Sequence, residues 1–594
     1  MARPWRDRLR RLFAQTPAPL SSALAGVAPP ARAEAWLEAG LARVLRGECA
    51  AAEAVAQARL GADPQDADAR VLFAAAARRG GRAEEAGDLL RRVLAGHPDH
   101  ALAHAELAAL LHAIGERVAA LDHSLLAQAF GAGGAAAGMA AIVEARLLAE
   151  GGDTAGALAT LDAAAVAGNP EWWLDRASLL ARLARPADAA GASREALALV
   201  PSHAGAWANL GLVQLAQLGD PAAALDCFRR ATALAPGLVA AQANLALALD
   251  ELGQPDAAQA HLDALLAAHP DIGEYRWNRA VIRLAQGDFA RGWDDYEARH
   301  QRTQGAAPRR FPLPAWRGQR LDPGQSLLVY GEQGVGDEIM FASCIPDALA
   351  RAGPVVLECD TRLAPLFARS FPMVHVQGAP RDGDRRWLEA YPSLASQSAT
   401  GALPRFLRRE AAAFPAHTGY LRPDPARVAH WQARLAAAGP GRTVGIAWRG
   451  GTAKSRASLR AMPLADWAPI LRTAGVHWVV LQHAANAAEL AGIEALTGSP
   501  PLLPATDASD LDGLAALVGA LDQVVTVDNT LAHLAGALGR PVWIVLPRAV
   551  DWRWGRAGNV SVWYPAARLW RQSAPGDWSA IAAGIANTLR AGAA

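Results

Sequence analysis

Along the first half of the chain, stretches rich in alanine and leucine, with arginine and glutamate interspersed, alternate with single glycines and prolines at a fixed interval. This composition forms helices, and it repeats. Gly219, Gly253 and Gly287 are 34 residues apart; Pro236 follows Pro201 by 35 residues and precedes Pro270 by 34, and Pro64 and Pro98 are again 34 apart. The clearest units are AWANLGLVQLAQLGDPAAALDCFRRATALAP at 206–236 and AQANLALALDELGQPDAAQAHLDALLAAHP at 241–270, and a third opens with YRWNRAVIRLAQGDFARGWDDYE. Each reads as an apolar helix, a glycine turn, a second helix and an exit proline. A single pair cannot bury its own apolar face, so neighbouring pairs must stack. Residues 30–300 are expected to form six to eight irregular helical pairs. The rhythm degrades between about 100 and 200, where LLAQAFGAGGAAAGMA interrupts it, and resumes in helices around 172–197.

Near residue 300 the pattern changes. QRTQGAAPRRFPLPAWRG is rich in proline and glycine and breaks the helical period. Short β-branched runs then alternate with longer helical stretches: 326–330, 354–359, 443–448, 477–482, 523–528 and 541–547. Such alternation predicts parallel sheet covered by helices on both faces. A linker-like stretch at about 413–441 separates an early from a late set of strands. Two doubly wound sheets facing across a cleft fit this order. The expected fold is α plus α/β: a basic N-terminal arm (1–29), helical repeats (30–300), a linker (301–325), and two Rossmann-like domains at 326–425 and 426–594.

Composition narrows the classes of function. With 594 residues the chain has room for several domains, and 58 Lys+Arg against 57 Asp+Glu give no field for wrapping nucleic acid. The four cysteines, Cys49, Cys227, Cys344 and Cys359, form no CxxC pair, so a reduced, cytoplasmic setting without a cysteine zinc site is expected. MARPWRDRLRRLFAQ is basic and weakly amphipathic; it lacks a signal peptide's apolar core and is expected to touch a membrane at most peripherally. HExxH, EF-hand and DxD patterns are absent, and Asp507, Asp510 and Asp512 of DASDLD resemble a helix start. Metal-free chemistry is expected.

In open α/β sheets, ligands bind beyond the carboxyl ends of the strands. After 326–330 the chain reads GEQGVGD, neither a dinucleotide fingerprint nor a phosphate loop. Gly331, Gly334 and Gly336 either make a sharp turn or make room for a bound group. Asp337 on that turn is placed to face the cleft and take a proton from an acceptor nucleophile. After 443–448 comes RGGTAKSRASLR, whose Arg449, Lys454, Arg456 and Arg460 suit a diphosphate or simply a solvated loop. Arg449 and Lys454, nearest the strand end, are the preferred contacts. After 523–528, Asp528, Asn529 and Thr530 are N-cap candidates for a helix whose free N–H groups could receive phosphate. His533 on its first turns suits a ligand or a structural hydrogen bond equally. Gln482, at a strand end, reaches either a nucleoside or water.

Four strings carry a resemblance: GEQGVGDEIMF, GIAWRG, TVDNTLAHLAGALGRPVWIVLP and DWRWGR with SVWYPAARLWRQ. Together with the 34-residue period, which resembles tetratricopeptide repeats, they are similar to bacterial tetratricopeptide-repeat glycosyltransferases. The catalytic half of that family looks like the heptosyltransferases of GT-B fold, and it is more distantly similar to protein O-GlcNAc transferases. The resemblance implies that Asp337 is the general base and that Asp528, Asn529, Thr530 and His533 form the helix start receiving the donor's diphosphate. It also implies that the loop after Gly445–Trp448 belongs to the donor cleft and that Trp552 and Trp554 are architectural or donor-side; Gly334, Gly336, Arg449, Lys454 and Gln482 are expected among the residues that hold the nucleotide sugar. Inversion without a metal or other cofactor follows from the same likeness. Val335 and Glu338 depart from the usual pattern; Glu338 puts a second carboxylate beside the base, although consecutive helical residues face apart.

The expected function is transfer of a sugar from a nucleotide sugar to a hydroxyl of a protein acceptor recruited by the repeats. A repeat superhelix is a large surface for recognising a small sugar, which favours protein over glycan. A transferase acting on a saccharide or lipid-linked glycan, and a non-catalytic repeat adaptor, are the alternatives.

Overall fold

The computed structural model describes residues 35–591 except 132–133, 165, 167, 303–308, 381–382, 384, 451–456 and 504–508. The basic arm at 1–29, Lys454, Arg456 and Asp507 lie outside the described residues. By its contacts the chain divides into two compact units, one containing the residues up to Gln214 with Asp226–Pro236, the other Leu215–Leu225 with Gly237–Ala594.

Eight helical pairs follow one another among the described residues, from Ala35–Leu45 with Cys49–Ala62 to Gly273–Gln286 with Phe289–Tyr296. Pro64, Pro98, Pro201, Pro236 and Pro270 each stand two residues beyond the end of a second helix, where a residue without an N–H cannot continue it. The turn inside every pair contains one residue in the left-handed region: Gly47, Gly81, Gly115, Gly152, Ala184, Gly219, Gly253 and Gly287. The repeat therefore continues through 100–200, where the sequence pattern looked broken. Two things hid it there. The interval lengthens between Gly115 and Gly152, and the next turn uses Ala184, at φ 56°, in place of glycine.

The second unit holds two parallel sheets. The first comprises β1 (Ser326–Tyr330), β2 (Val355–Cys359), β3 (His375–Gly378) and β4 (Leu394–Ala399), in the order β3-β2-β1-β4. The second comprises β5 (Arg442–Ala447), β6 (Val476–Val480), β7 (Gln523–Val527), β8 (Val542–Leu546) and β9 (Ala567–Arg571), in the order β6-β5-β7-β8-β9. All six expected strands form. In both sheets the chain winds outward from its first strand and returns to pair on that strand's other side. The topological switch points are thus β1/β4 and β5/β7.

The last helical pair belongs to the same core as these sheets. Trp293, with no exposed surface, packs edge-on to Trp552 at 5.4 Å between ring centroids and to Phe341 at 6.3 Å, and its indole N–H donates to the Arg408 carbonyl at 2.9 Å. Each large aromatic side chain removes ~150–250 Å² from water, so this cluster is a principal reason the helix Phe289–Tyr296 is fixed against the sheets. Cys227, Cys344 and Cys359 are buried and Cys49 half-buried, none in a disulfide; burial pushes the Cys344 thiol up to about 11 and the Cys359 thiol higher still.

Candidate active site

The loop after β1 explains its glycines. None of Gly331, Gly334 and Gly336 has a left-handed backbone; the turn is made by Gln333, at φ 63°. Its side-chain amide exchanges hydrogen bonds with the Tyr296 hydroxyl at 3.0–3.1 Å, which holds a conformation that L residues avoid. The expectation that glycines supply the sharp turn is therefore corrected: each allows a close approach instead. A Cβ on Gly331 would lie 2.7 Å from the Glu338 carboxyl carbon. A Cβ on Gly334 would lie 3.2 Å from the Asp337 carboxylate. On Gly336 it would lie 3.1 Å from His533 Cδ2 and 3.7 Å from Thr530 Cα. The room at Gly336 is filled by the helix Thr530–Ala537 of the second sheet.

The neighbouring carboxylates Asp337 and Glu338 point apart. Glu338 is buried and accepts from the Asp360 backbone N–H at 2.9 Å, which anchors the end of β2. Asp337, on the first turn of the helix Val335–Phe341, accepts from the Gly334 N–H at 3.0 Å, half of a capping box. Its other oxygen accepts from Arg553 Nε at 3.0 Å and also from Arg553 Nη2. Arg553 donates through Nη1 to Asp551 at 2.8 Å and lies over the Trp552 ring at 4.6 Å. The two carboxylates hold the Arg553 guanidinium well above its ordinary range, despite burial acting the other way. Burial pushes Asp551 up, and Arg553 more than offsets that to hold it low.

After β7, Asn529 caps the helix Thr530–Ala537 by accepting from the Ala532 N–H at 3.2 Å and is itself fixed by the Thr526 hydroxyl at 3.1 Å. Asp528 is buried against Arg460, with a 3.0 Å ion pair, and burial pushes its carboxyl up. Arg460 also donates through Nε to the Asp528 carbonyl at 3.1 Å. His533 is buried; its Nδ1 shares a 2.9 Å hydrogen bond with the Tyr564 hydroxyl, and its ring stacks on Trp554 at 5.1 Å. Burial, helped by the Arg553 charge, lowers it to about 3, so it is a neutral structural ring at ordinary pH.

After β5, Arg449 is engaged with the loop and helix that follow β6. Arg449 meets Glu489 through Nε and Nη2, both at 3.0 Å, and donates to the Ala484 carbonyl at 2.6 Å. That hydrogen-bonded pair holds Glu489 down to about 2. The Gln482 side-chain Oε1 accepts from the backbone N–H groups of Trp448 and Arg449 at 3.0 and 2.9 Å, buttressing the turn. Beside it, a Cβ on Gly450 would lie 2.4 Å from Asn529 Cβ, so the loops after β5 and β7 touch. Asp510 and Asp512 stand at the start of the helix Leu511–Ala520, where Asp510 accepts from the Gly513 N–H at 2.7 Å.

The structure thus brings Asp337, Gly334, Gly336, Thr530 and His533 together, with Asp528 and Asn529 adjoining. Arg449 and Gln482 are directed to the wall of the β5 turn. Arg553 and Tyr296 had escaped sequence reasoning. Arg553 stands in the quoted DWRW string but pairs with a residue 216 positions away.

The chain has relatives in sequence. A tetratricopeptide repeat model matches residues 174–239 and 243–308. Protein FlbA of Caulobacter vibrioides is 35% identical over 373 residues, 58% of this chain and 60% of that protein. The chain therefore spans about 60% of the length of this curated relative. Among solved structures, the glycosyl transferase family 9 protein of Veillonella parvula aligns over 46% of this chain and 94% of its own, at 12% identity and a TM-score of 0.34. YrrB, a tetratricopeptide protein with an unusual peptide-binding site, aligns over 31% and 95%, at 18% and 0.23. Likeness at that level carries no argument about activity. The described part of the matched stretches falls in the fifth to eighth helical pairs.

Proposed function

We propose that the chain is a glycosyltransferase that moves a sugar from a nucleotide sugar to a hydroxyl of a protein acceptor. The observation that carries this reading is the meeting of the two topological switch points. The loop after β1 and the helix start after β7 lie in contact, Gly336 against Thr530, and the next residue, Asp337, carries a carboxylate paired with Arg553. Ligands of doubly wound sheets bind at such points.

In this mechanism Asp337 takes the proton of the acceptor hydroxyl. The oxygen attacks the anomeric carbon, the bond from that carbon to the diphosphate oxygen breaks, and the configuration inverts. The N–H groups at Thr530 and beyond stabilise the departing diphosphate, aided by the helix dipole. Lys454 would add charge from the loop after β5, while Arg449, Gln482 and Asn529 shape the walls. The reaction needs no metal. The succession of helical pairs suits a polypeptide acceptor, and cysteines outside any disulfide favour the cytoplasm.

The test is release of nucleoside diphosphate from a panel of nucleotide sugars, with and without chelator, comparing the wild type with Asp337→Asn. Loss of a general base should cost ~10²–10⁴ in rate, with donor binding retained and no effect of chelator. Release untouched by the substitution would remove Asp337 from the chemistry. Dependence on added metal would overturn the metal-free mechanism.

A further inference from the structure

Arg553 pairs with one of the two groups whose charges change in opposite directions during the proposed transfer, and Trp554 beside it stacks on His533 of the helix proposed to hold the other. Asp337 begins as an anion and becomes neutral on taking the acceptor's proton. The diphosphate gains one negative charge as the glycosidic bond breaks. A single guanidinium in reach of both would lose its need of the first as its need of the second grows. We propose that Arg553 is a catalytic residue that couples these events, pairing with Asp337 in the empty site and passing its charge to the leaving diphosphate as the proton arrives. This inference rests on the transferase reading.

Three observations support it. First, Arg553 reaches Asp337 through Nε and Nη2 while Nη1 is held by Asp551, so the guanidinium stays anchored when Asp337 no longer holds it. Stacking on Trp552 fixes its plane from the side. Second, among the described residues the carboxylates Asp337, Asp528 and Asp551 pair with Arg553 and Arg460, Arg460 being held by Asp528, while His533 is neutral. A diphosphate arriving at the helix Thr530–Ala537 would meet Arg553, now shared with the base, in addition to the charge proposed for Lys454. Third, the reach is short: Gly336, the residue before Asp337, already lies against Thr530. Arg suits this exchange better than Lys because its fork can hold a carboxylate and a phosphate oxygen on different nitrogens.

The prediction runs against intuition: removing the base should tighten the product. Asp337→Asn keeps the shape and the contact to the Gly334 N–H but frees Arg553. Binding of uridine, guanosine, adenosine and cytidine diphosphates would be measured by calorimetry for the wild type, Asp337→Asn, Arg553→Gln and the double variant, with thermal melts confirming that each is folded. The nucleotide that binds should do so about tenfold more tightly to Asp337→Asn and about tenfold more weakly to Arg553→Gln. In the Arg553→Gln background, Asp337→Asn should add nothing. That non-additivity separates a shared cation from the general gain of deleting a negative charge near an anion. A gain that persists without Arg553, or no gain at all, overturns the coupling and leaves the transferase reading standing. If none of the four nucleotides binds any folded variant, the transferase reading falls and the coupling with it.

Discussion

At Gln333 the backbone adopts a conformation that costs an L residue roughly 1–2 kcal/mol, and the Tyr296 hydroxyl is what offsets it. Gln333→Gly removes the strain together with the hydrogen bonds, so its stability should stay within about 1 kcal/mol of the wild type. Gln333→Ala keeps the strain and loses the bonds. Chemical denaturation should rank the alanine variant below the glycine variant; the reverse order would mean that Tyr296 does not hold the turn. His533 makes a second prediction at this scale. Its folded pKa, about 3, lies below the ordinary 6.5, so the unfolded chain binds a proton that the folded one excludes. Its contribution is fully present above pH 6.5 and is lost as the pH falls toward 3, by about 1.4 kcal/mol per pH unit at most. Stability curves of His533→Gln should be flatter than wild type across that window. Parallel curves would show the ring to be no more buried than its surroundings require.

Elements were legible from sequence where burial leaves a hydrophobic trace. The three strands that went unread, β3, β4 and β9, are all at sheet edges. β4 reads LASQSA and buries serines rather than branched aliphatics; β3 is half-exposed, and β9 places Ala567 and Leu569 inward with exposed Arg568 between them. An edge strand is covered less, so its residues need not be apolar. The helix starting at Thr530 was readable because its cap is local: Asn529 bonds within three residues. The ion pair on Asp337 was not, because nothing in DWRW says which distant carboxylate it will meet. The repeats supply this scale's prediction. Ala184 occupies a left-handed turn position that glycine fills in the other seven pairs. Ala184→Gly should therefore raise the stability of the first unit by about 1 kcal/mol, read as a later denaturation midpoint, and Ala184→Val should lower it. Equal midpoints for all three would mean that the turn relaxes freely.

For the whole molecule, the division into units falls inside the repeats rather than at the proline-rich stretch near 300. The seventh and eighth helical pairs lie in the unit of the sheets. Besides the Trp293 cluster, Asp250 of the helix Val239–Glu251 pairs with Arg556, the Arg556 N–H donates to the Ala285 carbonyl at 3.0 Å, and Arg299 meets Glu332 at 2.9 Å. Two loops of the candidate site, 331–337 and 551–556, are thus gripped by repeat residues. A chain beginning at residue 301 should fail to fold its sheets, whereas one beginning at 204, which keeps the sixth pair, should unfold cooperatively. Single-domain behaviour of the shorter chain would refute the assignment. Asp250→Ala, which removes the buried carboxylate that pairs with the half-buried Arg556 guanidinium, should cost about 1–3 kcal/mol in that second unit.

The cysteine thiols give this division a practical reading. Cys227 is buried in the first unit, and Cys344 and Cys359 are buried in the second. Only a thiolate reacts with an alkylating reagent, and in the folded chain these thiols are shielded from solvent. Each becomes available when its own surroundings open. Pulsed alkylation followed by peptide mass spectrometry would then time the opening of the two units separately in the unmodified protein, with the half-buried Cys49 marking the first repeat.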